Sequence, residues 1–215
     1  MTIKKTEIDK ILAEDLERKL KQEGFQYVRA SNWLARTQGD LTQIINWSYY
    51  TAGSGYMVSP MLGARSAAIF EIFRQVNQIQ KQDEKFRRTL STDIWRLFGD
   101  RSRGEFKVTS EAEGHAAAVA IEALVRAEAL PFFERCTTVA DVDRLFNEAP
   151  NSPAARLLSL DNWTRSANAL IAARLAHNPK YDGLVDAYRT LLAGFSSGQF
   201  LKQYESLVSL LSGIK

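Results

Sequence analysis

Residues 25–62 read FQYVRASNWLARTQGDLTQIINWSYYTAGSGYMVSPML, and the punctuation of this stretch decides the fold. Phe25, Tyr27 and Arg29 alternate with Gln26, Val28 and Ala30, which is the period of two of a half-buried strand. Ser31-Asn32 are turn formers, and residues 33–37 alternate again. Gly39-Asp40 marks a second turn, because glycine takes positive φ without steric cost. In the run 41–51, Leu41, Gln43, Ile45, Trp47 and Tyr49 share one face, and Thr42, Ile44, Asn46, Ser48 and Tyr50 the other. Both faces are partly apolar, which places this strand centrally with helices over one side. Gly53-Ser54-Gly55 turns the chain and 56–62 returns it. Pro60 has no N–H to give a ladder, so the last strand is expected to fray there or lie at an edge. The stretch is a four-stranded antiparallel meander.

Helices flank it. Residues 6–23 carry Ile8, Ile11, Leu12, Leu16 and Leu20 on one stripe, with Thr6 and Asp9 in capping-box register and Gly24 as the stop. Residues 67–80 form a second helix, with Ile69, Ile72, Phe73, Val76 and Ile79 inside. Weak alternation over 92–97 and again over 105–108 suggests two further short strands. Ser110 with Glu113 caps an Ala-rich helix running to about 130, which Pro131 interrupts before a short continuation at Phe132-Phe133. Thr138 with Asp141 caps the next helix. Pro150-Asn151-Ser152-Pro153 is the clearest break, and helices at about 154–159, 161–176, 181–193 and 199–211 follow, punctuated by Asn178-Pro179 and by 194–198. The expected fold class is therefore α+β: an antiparallel sheet of four to six strands packed by helices in residues 1–150, then an all-helical region, 151–215, either separate or packed on the same core.

At 215 residues the chain buries a substantial core without staples. Its 45% hydrophobic and 25% charged content is that of an ordinary globular protein. No apolar run approaches the ~18 residues of a membrane span, and the first twenty residues lack the apolar core of a secretory signal. One cysteine, Cys136, leaves no disulfide framework and suits a reducing compartment. The expectation is a cytoplasmic, bacterial protein that contacts no membrane. The net charge of +3 is only mildly basic. Residues 81–107 hold eight basic side chains against five acidic ones, an excess typical of a solvated face.

No motif carries chemistry. His115 and His177 stand apart from each other, and neither falls in an H-x-x-x-H or H-E-x-x-H pattern. There is no G-x-S-x-G and no phosphate loop. Cys136 precedes a helix start, which would depress its pKa slightly, but it is read as a semi-buried structural thiol. Acidic pairs such as Glu111/Glu113 and Asp141/Asp143 sit in first turns of helices, where the dipole explains them. No cofactor and no metal are expected. Gly99 to Gly104 form a glycine-flanked loop with two arginines, read first as a solvated hairpin loop and second as an anion cradle.

The aromatics of the meander are read first as core and cross-strand pairs. On the second reading they form a binding face, and the candidates are Arg36, Trp47, Tyr49, Tyr50, Arg65, Arg101 and Arg103.

A leading helix ending in Gly24-Phe25, the strands bearing Trp33-Leu34-Ala35-Arg36 and Gln43-Ile44-Ile45-Asn46, a short strand near Phe106 and a helix ending in Leu130-Pro131-Phe132-Phe133-Glu134-Arg135 together resemble a bacterial domain of unknown function, number 4304. The resemblance spans residues 7–150 and implies an α+β fold without naming catalytic residues. The leading functional expectation is a non-enzymatic protein-binding module of the immunity or adaptor kind. The alternative is a nucleic-acid-binding protein using Arg65, Arg87, Arg88, Arg101 and Arg103. A third is an enzyme whose site converges only in the fold.

Overall fold

The computed structural model describes every residue except 1, 2, 78, 81, 151, 157, 160, 196–198 and 215, and the side chains of 153 and 154. Asn151 in the expected break, part of the punctuation at 194–198, and Lys81 of the basic run therefore lie outside the described residues. The chain is α+β. Its helix α1 (Lys5–Leu20) is followed by strands β1 (Gln26–Val28), β2 (Trp33–Gln38), β3 (Leu41–Ala52) and β4 (Gly55–Ser66). Then come α2 (Ala67–Val76), β5 (Leu90–Asp93), β6 (Phe106–Val108) and helices α3 (Glu111–Leu124), α4 (Leu130–Glu134), α5 (Val139–Asn147), α6 (Pro153–Arg156), α7 (Asn162–Leu175), α8 (Tyr181–Ala193) and α9 (Leu201–Ser212). The strands lie in the order β1-β2-β3-β4-β5, and β6 pairs antiparallel with β4, Tyr56 opposite Val108 and Val58 opposite Phe106.

Five local expectations need correction. Helix α1 starts one residue before Thr6, and Glu7 reaches back to accept from the Lys4 backbone N–H at 2.9 Å. Asp9 cannot cap because donors from the sheet hold its carboxylate. Pro60 neither frays β4 nor ends it. The β6 register stops at Val58, so no donor towards β6 is needed at Pro60, and β4 runs on to Ser66. The fifth strand ends at Asp93 rather than Leu97. Arg96 Nε donates to Asp93 Oδ2 at 2.9 Å, three residues back, and Ile94–Leu97 close into a 3-10 turn that buries Ile94. Pro131 does not break its helix. A π-helical turn, Val125–Ala129, lies directly ahead of it, and the shift of hydrogen-bond register there lets the helix resume as α4 with the proline at its second position. Helix α2 stops at Val76, because Asn77 is extended and gives its side chain to the Phe73 carbonyl at 2.8 Å.

Contacts within the chain form two compact units. The first comprises Met1–Gln38, Thr42–Gly63 and Thr92–Arg135. In it α1 lies against β1, β2 and α3. Its stripe of Ile8, Ile11, Leu12, Leu16 and Leu20 is buried, as are Phe25, Leu34, Ile121 and Phe133. The Phe25 and Phe133 rings sit 6.1 Å apart. Gly24 takes φ +83°, which lets the chain turn from helix to strand.

The second unit comprises Gly39–Leu41, Ala64–Ser91 and Cys136–Lys215. Residues 64–91 and 136–150 thus cluster with the helices after Pro153. α7 is its centre: residues 165–173 are buried on every side, the mark of a core helix. A polar network stitches it to its neighbours. Asn147 Nδ2 donates to Asp143 Oδ1 (2.7 Å) and to the Ala169 carbonyl (2.8 Å), and Tyr188 OH donates to Asn147 Oδ1 (2.7 Å). Every one of these groups is buried, so the network fixes one arrangement of α5, α7 and α8. Thr138 caps α5 through the Asp141 N–H while Asp141 reaches back, as its spacing requires. No helix among the described residues is long and apolar enough to cross a membrane.

Candidate functional site

The seven candidate residues fall into separate places. Within the first unit, Trp47 and Tyr49 are consumed by one acid of α1. Asp9 Oδ1 accepts from Trp47 Nε1 at 2.7 Å, Tyr49 OH at 2.6 Å and Asn32 Nδ2 at 2.8 Å, and Tyr27 OH donates to Asn32 Oδ1 at 2.8 Å. Asn32 adopts φ +54°, a conformation asparagine tolerates better than most residues. Burial, and then the bond to Asp9, push the Tyr49 phenol far above its ordinary value. With Trp47 only 5% exposed and Tyr49 half-buried, this pair holds α1 to the sheet.

Arg36 is likewise spoken for. Its Nε donates to Gln43 Oε1 and its Nη1 to the Glu23 carbonyl, both at 2.8 Å, while the guanidinium lies 4.7 Å from the Phe25 ring centre. Gln43 in turn donates to the Phe133 carbonyl at 2.8 Å. Burial lowers the Arg36 pKa. The arginine fastens β2 to the end of the helical segment before it.

Tyr50, Arg101 and Arg103 are different. Tyr50 is 44% exposed, and its hydroxyl donates to Glu105 Oε2 at 2.7 Å. Arg101 Nε donates to Glu105 Oε1 at 2.6 Å, and its guanidinium lies 5.8 Å from the Tyr50 ring and 6.0 Å from Trp95. Arg96 lies 5.0 Å over Trp95, and Arg103 4.9 Å over Phe98. The bond to Glu105 raises the Tyr50 phenol and the Arg101 guanidinium alike. The glycine-flanked loop is not a hairpin tip but a 3-10 turn, Arg101–Arg103, capped by Asp100, whose oxygen accepts from Ser102 N at 3.0 Å. Gly104 is obligatory, since a Cβ there would stand 2.4 Å from Trp95 Cβ. The result is a surface of arginines layered over Tyr50, Trp95 and Phe98. Trp95 and Phe98 were not among the candidates. Their signal was present, an aromatic and an arginine recurring through 95–103, but weak alternation read it as a strand.

In the second unit Arg65 is brought to Arg87 and Arg88. All three line a small cavity with Phe70, Thr89 and Asn168. Arg87 also lines a cleft of about 640 Å³ with Phe73, Trp163, Thr164 and Gln203. Arg65 sits 4.5 Å over Phe70. Arg88 Nη1 donates to Ser91 Oγ at 3.2 Å, and burial lowers its pKa to about 10.

The groups suited to catalysis serve elsewhere. Burial, with the charge of Asp141, pushes the Cys136 thiol up to about 12, the opposite of the expected depression; the start of α5 does not compensate for a fully buried sulfur. His115 Nδ1 lies 2.6 Å from Asp15 Oδ2 on α1. Among the described residues no three His, Cys, Asp or Glu gather as a metal site. The chain matches no family model, no curated protein and no solved structure.

Proposed function

We propose that the chain is a non-enzymatic protein-binding module, acting as an adaptor or immunity protein in a bacterial cytoplasm. One observation carries this reading: Tyr50, Trp95 and Phe98 share the surface of the first unit with Arg96, Arg101 and Arg103 in four ring–guanidinium pairs. Tyrosine, tryptophan and arginine dominate the energetic centres of protein interfaces: the aromatics bury a large area at small entropic cost and keep a polar handle, and arginine adds a planar fork of donors that stacks on them. Glu105 pre-orders the patch by holding Tyr50 and Arg101 at once, which lowers the cost of fixing them on binding. The resemblance of residues 7–150 to the bacterial domain of unknown function 4304 belongs to the same proposal.

The test is affinity capture from native cell extract at low and high salt, with and without nuclease, using the wild type and a Tyr50→Ala/Trp95→Ala variant. A stoichiometric protein that survives high salt, and whose retention falls at least about tenfold in the variant, supports the reading. A protein retained equally by the variant, or nucleic acid alone released by salt, refutes it.

A further inference from the structure

We propose that the cleft of the second unit between the end of α2, the start of α7 and the start of α9 binds a free α-amino acid with a large apolar side chain. Its volume is about 640 Å³, within the ~300–1,000 Å³ of small-molecule sites. One wall is apolar. Phe73 and Val76 come from the last turns of α2, Ile79 from the segment after it, and Trp163 from the first turn of α7. Phe73 and Trp163 are buried, while Val76 and Ile79 are half-buried. The wall is preformed. Trp163 Nε1 donates to Asn77 Oδ1 at 2.8 Å, and Asn77 Nδ2 donates to the Phe73 carbonyl at 2.8 Å. The Trp163 ring also stacks on Phe200, with centroids 5.9 Å and planes 6° apart. These ties hold the indole in place before any ligand arrives, which lowers the cost of ordering the site on binding.

Among the described residues the lining carries one charge of each sign, Arg87 and Asp161. Arg87 follows the 3-10 turn Glu84–Phe86, and its exposed guanidinium takes part in no hydrogen bond or ion pair among the described residues. Asp161 uses Oδ1 to cap α7, accepting from Thr164 N at 2.6 Å, and its Oδ2 has no partner among the described residues. Both residues also line the adjoining recess of about 140 Å³, so they stand close together, yet no ion pair joins them. A ligand of a single charge meets a like charge here: a phosphate faces Asp161 and a simple amine faces Arg87, and such juxtapositions are costly. A dipolar ion satisfies both. In an α-amino acid the ammonium and the carboxylate hang from one carbon, which suits two charges set side by side, whereas the termini of a longer peptide stand farther apart. The guanidinium fork takes both carboxylate oxygens, and the open oxygen of Asp161 takes the ammonium. The side chain then covers the apolar surface of Val76, Ile79 and Trp163. A small side chain gains nothing from that wall, so the cleft selects a large one of the leucine or phenylalanine kind.

The full chain is titrated by isothermal calorimetry at about pH 7 with L-leucine and L-phenylalanine. Three analogues each lack one element of the ligand: glycine the side chain, N-acetyl-L-phenylalanine the ammonium, and 2-phenylethylamine the carboxylate. The comparison chains carry Arg87→Gln, at an exposed position, and Asp161→Asn, which removes the charge while asparagine caps a helix as well as aspartate does. Arg29→Gln, at an exposed position in the other unit, is the control. The expected result is saturable binding of at least one of the two amino acids, weakened about tenfold or more by Arg87→Gln and by Asp161→Asn and unchanged by Arg29→Gln, with each analogue bound more weakly than its parent by a similar factor. The analogues probe the same contacts on the wild-type chain, so the proposal stays falsifiable should a variant fail to fold. No saturable binding of either amino acid, undiminished binding by a folded Arg87→Gln or Asp161→Asn chain, or an analogue that binds as tightly as its parent overturns the proposal.

Discussion

Replacing Asp9 by Ala strips one acceptor from three donors at once: Trp47 Nε1, Tyr49 OH and Asn32 Nδ2, at 2.6–2.8 Å. A hydrogen bond to a charged group contributes about 1.5–3 kcal/mol net, and a buried donor left without a partner costs about 1–3 kcal/mol. The three bonds share one oxygen, so they do not add. Asn32 turns to water, while Trp47, 5% exposed, does not. The expected cost is about 3 kcal/mol, which for a chain of this size lowers the thermal midpoint by about 6–12 °C. Asp9→Asn keeps an oxygen acceptor of the same reach but loses the charge, and is expected to cost about half as much. The assay is urea unfolding followed by tryptophan fluorescence, with thermal melts alongside. Adding Tyr49→Phe to each background completes a double-mutant cycle, whose expected coupling is about 1–2 kcal/mol. An Asp9→Ala chain within about 0.5 kcal/mol of wild type, the usual range of an inert surface change, refutes the argument that this acid holds α1 to the sheet. So does an Asp9→Asn chain as damaged as the alanine.

Arg165 is 2% exposed, and its three guanidinium nitrogens are buried with no hydrogen-bond partner among the described residues; burial lowers its pKa. Arg165→Met is therefore expected to stabilise the protein by about 1–2 kcal/mol, and a loss of stability in thermal unfolding rejects that account. The bond to Asp15 raises the pKa of His115, which also faces Glu111 and Arg18. A folded-state pKa raised above the unfolded one gives stability that is present at low pH and lost as pH rises through the folded value. A His115→Gln chain should match wild type at about pH 9, where imidazole is neutral, and be less stable at about pH 6; a constant difference across that range contradicts the sign. Cys136, with its thiol near 12, should react with a disulfide reagent at about pH 8 some thousandfold more slowly than an ordinary thiol, and at the ordinary rate in denaturant; fast labelling of the native protein shows the thiol to be accessible.

The local readings carried far. The stripe from Ile8 to Leu20 lies buried on α1, Thr138 and Asp141 start α5, and α8 spans the residues that its pattern marks. Gly24, Gly39 and Gly53 all take positive φ at their turns. Each of these depends on neighbours within about four residues, and that is the range over which periodicity and capping act. The site did not read this way. Trp47, Tyr49 and Tyr50 follow one another on β3 with the same chemistry, yet the first two end on Asp9 and the third faces solvent beside Glu105, fifty-five residues on. Alternation separates the two faces of a strand; it does not say what covers each.

Sequence alone thus determined the class of the fold, its meander, its helix starts and its turns, because short-range sterics and local hydrogen bonds decide them. Tertiary structure decided the rest. It put residues 64–91 with the helices after Arg135, turned two of the aromatic candidates and Arg36 into structural ties, and gathered Arg65 with Arg87 and Arg88 around one recess. Those outcomes rest on contacts between residues from 7 to 79 positions apart. Which partner a side chain meets at that distance is settled by how whole elements bury their apolar faces, and no local pattern encodes it.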